Sequence, residues 1–114
     1  VVYKKLLKGL PLKFQKINSN ISSNFHVFAI IVDEKIRDRL FNFLISNNIE
    51  AIKYYENILP QIYFKKISNN KIIKKFPNSY RISKSIICLP NSAYLKKKEI
   101  EYVCKKIKHF FKDD

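Results

Sequence analysis

The sequence predicts a small α+β domain in which a few-stranded sheet carries helices packed against it. Three observations predict this. Residues 26–55 read as strand, helix, strand; residues 96–111 place apolar side chains at helical spacing; and a chain of 114 residues supports one modest core, so residues 1–114 are taken as a single unit.

Val2, Leu6, Leu7 and Leu10 recur at helical intervals, which predicts the tail of a helix over Val1–Leu10 stopped by Pro11. Leu12–Ile17 alternates Leu12 and Phe14 with Lys13 and Gln15, the pattern of an edge strand, and Asn18–Asn24 is a polar loop. Val27–Val32 is a short apolar run rich in β-branched residues, which predicts a strand buried on both faces. Asp33 is then placed to accept from the free amides of a helix start, with Glu34 adding favourable charge at the same end. Ile36, Leu40, Phe43 and Leu44 form the apolar stripe of that helix, with Lys35, Arg37, Asp38, Arg39 and Asn42 on its wetter side. Asn47-Asn48 supplies a residue type that tolerates a left-handed stop, and Ile49–Tyr55 resumes as a strand or extended segment.

Glu56–Lys75 has much apolar area and little periodicity, which predicts a loop packed over a site or a partner subunit. Phe76-Pro77-Asn78 opens a helical stretch whose Tyr80, Ile82, Ile86 and Ile87 face inward, and Cys88–Asn91 closes it in an extended turn. Lys96–Phe111 is a terminal amphipathic helix with Ile100, Val103, Cys104, Ile107 and Phe111 inward.

Lysine and arginine number 23 against 9 acidic residues, a formal net charge of +14. That balance attracts polyanions, but arginine occurs only at positions 37, 39 and 81, so the bidentate fork that reads bases and phosphates is scarce. The lysines are spread along the chain among Ile and Asn, and read as solvated faces; a small basic nucleic-acid-binding domain is the alternative. No apolar run approaches the roughly 18 residues that would span a bilayer, so no membrane role is expected and the cytoplasm is the expected location. Cys88 and Cys104 lack the close paired spacing of a zinc site and read as small buried hydrophobes. His26 and His109 stand far apart, and neither suggests a metal ligand or a catalyst. The chain opens on Val1 and contains no Met, which predicts a piece of a longer protein. With no Gly-rich phosphate loop, nucleophile elbow or convincing carboxylate pair, no motif assigns chemistry by itself.

Several stretches taken together resemble the DegT/DnrJ/StrS family of pyridoxal-phosphate-dependent sugar aminotransferases. Ile49–Tyr55 is similar to the family's "G-I-x-x-x-x-H-Y-P" segment; His26-Val27-Phe28 and Arg37-Asp38-Arg39-Leu40 are similar to its "H-x-Y/F" strand and "R-D-x-L" helix. Phe76–Tyr80 through Ser85–Pro90 resembles "P-x-A-E" followed by "L-S-L-P", and Leu95–Val103 resembles "L-T-x-x-E-V-x-x-V". The order and spacing of these pieces cover Tyr3 to Phe111. This chain departs from the pattern with Asn48 in the Gly position, Tyr54 for His, Glu56 for Pro and Lys96 for Thr, so Tyr55 alone is kept from the core of the first segment.

The resemblance implies the small C-terminal domain of a fold-type-I transferase, normally joined to a large domain and dimeric. It implies pyridoxal 5'-phosphate held mainly by that large domain, none of whose ligands is assignable here. It further implies a nucleotide-linked keto sugar as acceptor and an amino donor such as glutamate, in the making of deoxyamino sugars or cell-surface polysaccharide. This chain's share would be Tyr54 and Tyr55 as substrate-side contacts, with core packing or dimer contact the other roles open to them. An inactive or dehydratase-like relative is the neighbouring possibility.

Overall fold

The computed structural model describes residues 2–55 and 74–113. The segment 56–73, which takes in most of the irregular stretch expected from the sequence, lies outside the described residues.

The described elements are, in chain order, α1 (Val2–Leu6), β1 (Lys13–Phe14), β2 (Phe28–Ile31), α2 (Glu34–Ser46), α3 (Pro77–Ser85), β3 (Ile86–Leu89) and α4 (Lys97–Asp113). The three strands form one antiparallel sheet in the order β1-β2-β3. The α+β class and the few-stranded sheet are as the sequence predicts. Helices α1, α2 and α4 gather over one face, α4 touching both of the others.

Local chemistry accounts for the helix ends. Asp33 caps α2, its carboxylate accepting from the Lys35 amide at 2.8 Å. The stop is Asn48, held at φ +56, a left-handed conformation that Asn tolerates better than any residue but Gly. At the start of α4 the Glu99 carboxylate accepts from the Lys96 amide at 2.6 Å, half of a capping box that works without the family's Thr. Helix α1 ends sooner than expected, at Leu6, and the chain turns through Gly9 at φ +89 before Pro11.

The core lies between the sheet and these helices. Leu7, Ile30, Leu40, Leu44, Ile87 and Ile107 are fully buried, each contributing roughly 1.5–3 kcal/mol by leaving water. Tyr3 stacks on Phe28 with ring centroids 4.8 Å apart, which fastens α1 to the central strand.

The structure corrects five sequence expectations. Ile86 and Ile87 belong to β3, not to the preceding helix; a short apolar run does not reveal its state by periodicity, and pairing with β2 decides it. On α3 the buried residues are therefore Ser83 and Ser85, while Ile82 is exposed. On α4 it is Phe110 that is buried, with Phe111 half-buried beside it. Arg37, expected on the wet side of α2, is buried, with its Nε 2.9 Å from Asp38 Oδ1, a carboxylate that compensates the charge. Finally, β2 is fully buried on one face only: Phe28 and Ile30 point into the core, whereas Ala29 and Ile31 are half-covered.

Candidate functional site

The half-covered face of the sheet is where the candidate site lies. The register pairs Ala29 with Cys88 and Ile31 with Ile86, so these four side chains share the face opposite Phe28, Ile30, Ile87 and Leu89. They floor a groove of about 580 Å³ that Phe14, Ile82, Tyr54 and Tyr55 wall and to which Gln15 and His26 bring polar groups. A smaller groove of about 190 Å³ shares Tyr54, His26 and Cys88 with it and adds Glu50 and Asn91.

The chain reaches this site through a short extended run after α2. The Ile49 amide donates to Leu44 O at 3.0 Å across the left-handed turn, which sends the chain back along β3. Ile52 then exchanges backbone hydrogen bonds with Cys88, its amide donating at 3.0 Å and its carbonyl accepting at 2.7 Å. Ile49 and Ala51 face the core while Glu50, Ile52 and Tyr54 face outward, the two-residue alternation of an extended chain. The segment is extended through Lys53, as expected, but turns at Tyr54-Tyr55, and it pairs through an isolated bridge at Ile52 rather than a full strand.

Tyr54 and Tyr55 stand together at the rim, ring centroids 5.2 Å apart, and are 39% and 72% exposed. Exposure at that level sets core packing aside for Tyr55. Cys88 and Cys104 are buried as expected; burial pushes the Cys88 thiol up, and a hydrogen bond from the Tyr54 backbone pulls the other way. His26, which the sequence marks only as the start of the H-x-Y/F-like strand, also lines the groove. It follows Phe25, which is held at φ +48 with its carbonyl accepting from the Asn91 side chain. Gln15 arrives likewise, just beyond β1. The β1-β2-β3 pairing and the Ile52–Cys88 bridge bring positions 15, 26, 54 and 88 together, and no spacing along the chain encodes either.

An apolar floor, two phenol rings, an imidazole and an amide suit an uncharged polar ring compound: aromatic faces cover C–H groups, and the phenols and amide meet hydroxyls. Among the described residues no lysine or arginine lines either groove, and no cluster of His, Cys, Asp and Glu could hold a metal ion.

Comparison with known proteins agrees with this architecture. Over 89 residues the chain is 33% identical to the dTDP-4-amino-4,6-dideoxy-D-glucose transaminase of Shigella dysenteriae, a match covering 75% of this chain and 24% of that enzyme. The fold matches Spr1654 of Streptococcus pneumoniae in its PLP form with a TM-score of 0.83 at 16% identity, covering 98% of this chain and 29% of that one. It matches Helicobacter pylori PseC, an aminotransferase involved in the biosynthesis of pseudoaminic acid, with a TM-score of 0.77 at 18% identity over 99% of this chain and 31% of that one. At such identities the two structural likenesses speak for the fold alone. The chain spans about a quarter of the length of the transaminases it matches in sequence. The family model of the DegT/DnrJ/EryC1/StrS aminotransferases matches residues 1–108, and the chain belongs to that family.

Proposed function

We propose that this chain is the small domain of a pyridoxal-phosphate-dependent aminotransferase that moves an amino group onto a nucleotide-linked keto sugar. The family match over residues 1–108 carries the reading. The groove supports it, because its lining suits a sugar ring better than an anion, and because Tyr54 and Tyr55 stand where a ring could be covered.

The residues described here do not fit the cofactor itself. A Schiff-base lysine and cationic phosphate ligands are what it needs, and the groove lining supplies neither. In this reading a large domain outside this chain holds the cofactor, and the groove of the small domain faces it. When bound there the cofactor supplies the carrier for the amino group and an electron sink. The share of this chain is to wall the acceptor side of the cleft: Tyr54 and Tyr55 orient the sugar and, with the apolar floor, exclude water.

In this reading glutamate serves as amino donor, the full protein is a homodimer in the cytoplasm, and the product feeds deoxyamino-sugar or surface-polysaccharide synthesis. None of the described helices is long and apolar enough to cross a membrane. The lysines serve as solvated faces rather than as a nucleic-acid site.

The test is an amino-transfer assay on the polypeptide encoded by the complete reading frame that contains this chain. With dTDP-4-keto-6-deoxyglucose and glutamate, mass spectrometry should find the 4-amino sugar. Absence of amino product from this and other nucleotide-linked keto sugars would remove the transaminase reading in favour of an inactive or dehydratase-like relative.

A further inference from the structure

The two tyrosines at the groove extend from a segment whose last inward side chain is a lysine. Ile49 and Ala51 occupy the preceding inward positions and are buried in the core, whereas Lys53 leans on α2. Its Nζ lies 3.1 Å from Asp38 Oδ1 and 4.5 Å from the centroid of the Phe41 ring, and its side chain is 18% exposed. The same Asp38 oxygen lies 2.9 Å from Nε of the buried Arg37, so a guanidinium and an ammonium share one carboxylate that is itself 62% exposed. On the backbone side, Ile52 is pinned to Cys88 by two hydrogen bonds.

We propose that Lys53 is a positioning residue for Tyr54, and through it for the Tyr55 ring 5.2 Å away: holding its side chain on Asp38 and Phe41 of α2 turns Tyr54 toward the groove, and the Tyr55 ring packs beside it. The inference rests on the substrate-side reading of the two tyrosines. Its physical basis is the alternation of an extended chain, in which an inward anchor at one residue commits the following residue to the opposite side. An exposed lysine–carboxylate pair does little of this kind, because a long side chain held only by charge costs entropy and is screened. Here the carboxylate is exposed, but the lysine side chain is largely covered and its ammonium lies over the Phe41 ring, which adds to the charge contact. The arrangement also links Arg37-Asp38 with the Tyr54-Tyr55 segment, two stretches far apart in the family-like pattern.

The experiment compares Lys53→Met, Asp38→Asn, Lys53→Arg and Tyr54→Ala in the polypeptide of the complete reading frame. Steady-state kinetics for the nucleotide sugar are combined with fluorine NMR of fluorotyrosine-labelled protein. Lys53→Met and Asp38→Asn should raise KM for the nucleotide sugar about tenfold with a smaller change in kcat, as misplaced binding groups do. Lys53→Arg, which keeps the charge, should restore KM. The resonances of Tyr54 and Tyr55 should shift in Lys53→Met while that of the core residue Tyr3 stays in place, which also establishes that the variant is folded. Unmoved Tyr54 and Tyr55 resonances with an unchanged KM would overturn the proposal. A parent protein that makes no amino sugar would instead remove the functional reading, and the tyrosine resonances alone would then decide the structural claim. If Tyr54→Ala raises KM and Lys53→Met does not, the functional reading stands and the positioning role falls.

Discussion

The Tyr3 hydroxyl donates to the Pro90 carbonyl at 2.9 Å, joining residues 87 apart in the chain at the point where β3 ends. Helix α1 is thereby tied to the strand that floors the groove, in addition to its stacking on Phe28. Tyr3→Phe keeps the ring and removes the bond, leaving a carbonyl in a half-buried place without that donor. Chemical denaturation of the variant should give a loss of about 1 kcal/mol with an unchanged m value. A loss within error would mean that water replaces the hydroxyl and that stacking alone anchors α1.

Asn48 sits at φ +56 where the family pattern has Gly. Asn48→Gly should fold with nearly parental stability, its relief of backbone strain offset by the freedom of the unfolded chain. Asn48→Val should cost about 1–2 kcal/mol, because a β-branched residue is strained in the left-handed region. Equal midpoints for the two variants in urea would show that the turn relaxes to another geometry.

Acid should act at the Asp38 cluster. The hydrogen bond from Lys53 comes first among the causes, with the charge of Arg37 adding to it, and the Asp38 carboxyl lies below its ordinary 3.8 as a result. A depressed carboxyl contributes stability that is present above its unfolded-state value and is lost as pH falls through the folded one. The difference in melting temperature between the parent and Asp38→Asn should therefore be constant at neutral pH and close below about pH 4. A difference that persists unchanged into strong acid would contradict the pairing.

Base should act on the core. Burial pushes the Cys104 thiol from about 9 to about 11 and raises the Tyr3 hydroxyl above its ordinary range. Both groups stay protonated in the folded state while the unfolded chain ionises, so stability should fall as pH climbs from about 9 toward 11. Cys104→Ala should be less stable at neutral pH but decline less steeply over that window. For the same reason both buried thiols should react slowly with a disulfide reagent at pH 8 until denaturant is added.

Much of this fold was legible in local chemistry, and the exceptions share a cause. Asp33, Asn48 and the apolar stripe of α2 act within one or two turns of chain, so the cap, the stop and Leu40 and Leu44 in the core could be read directly. Ile86 and Ile87 could not, because a four-residue apolar run becomes a strand only once β2 lies beside it. Arg37 misled for a similar reason: its burial depends on a carboxylate one position away and on packing that spacing does not express. At the site, Tyr54 and Tyr55 were indicated by the family resemblance, and the structure brings them to one groove. His26 and Gln15 join them through strand pairing alone, and the grip of Asp38 on Lys53 spans 15 residues that carry no shared pattern.

The proposed division of labour puts the acceptor side of the cleft on this chain and the cofactor on residues outside it. Borohydride reduction of the polypeptide from the complete reading frame, loaded with pyridoxal phosphate, followed by peptide mapping, tests it most directly. The reduced cofactor should appear on a lysine outside residues 1–114. Cofactor fixed to a lysine within them, or no cofactor fixed at all, would contradict it.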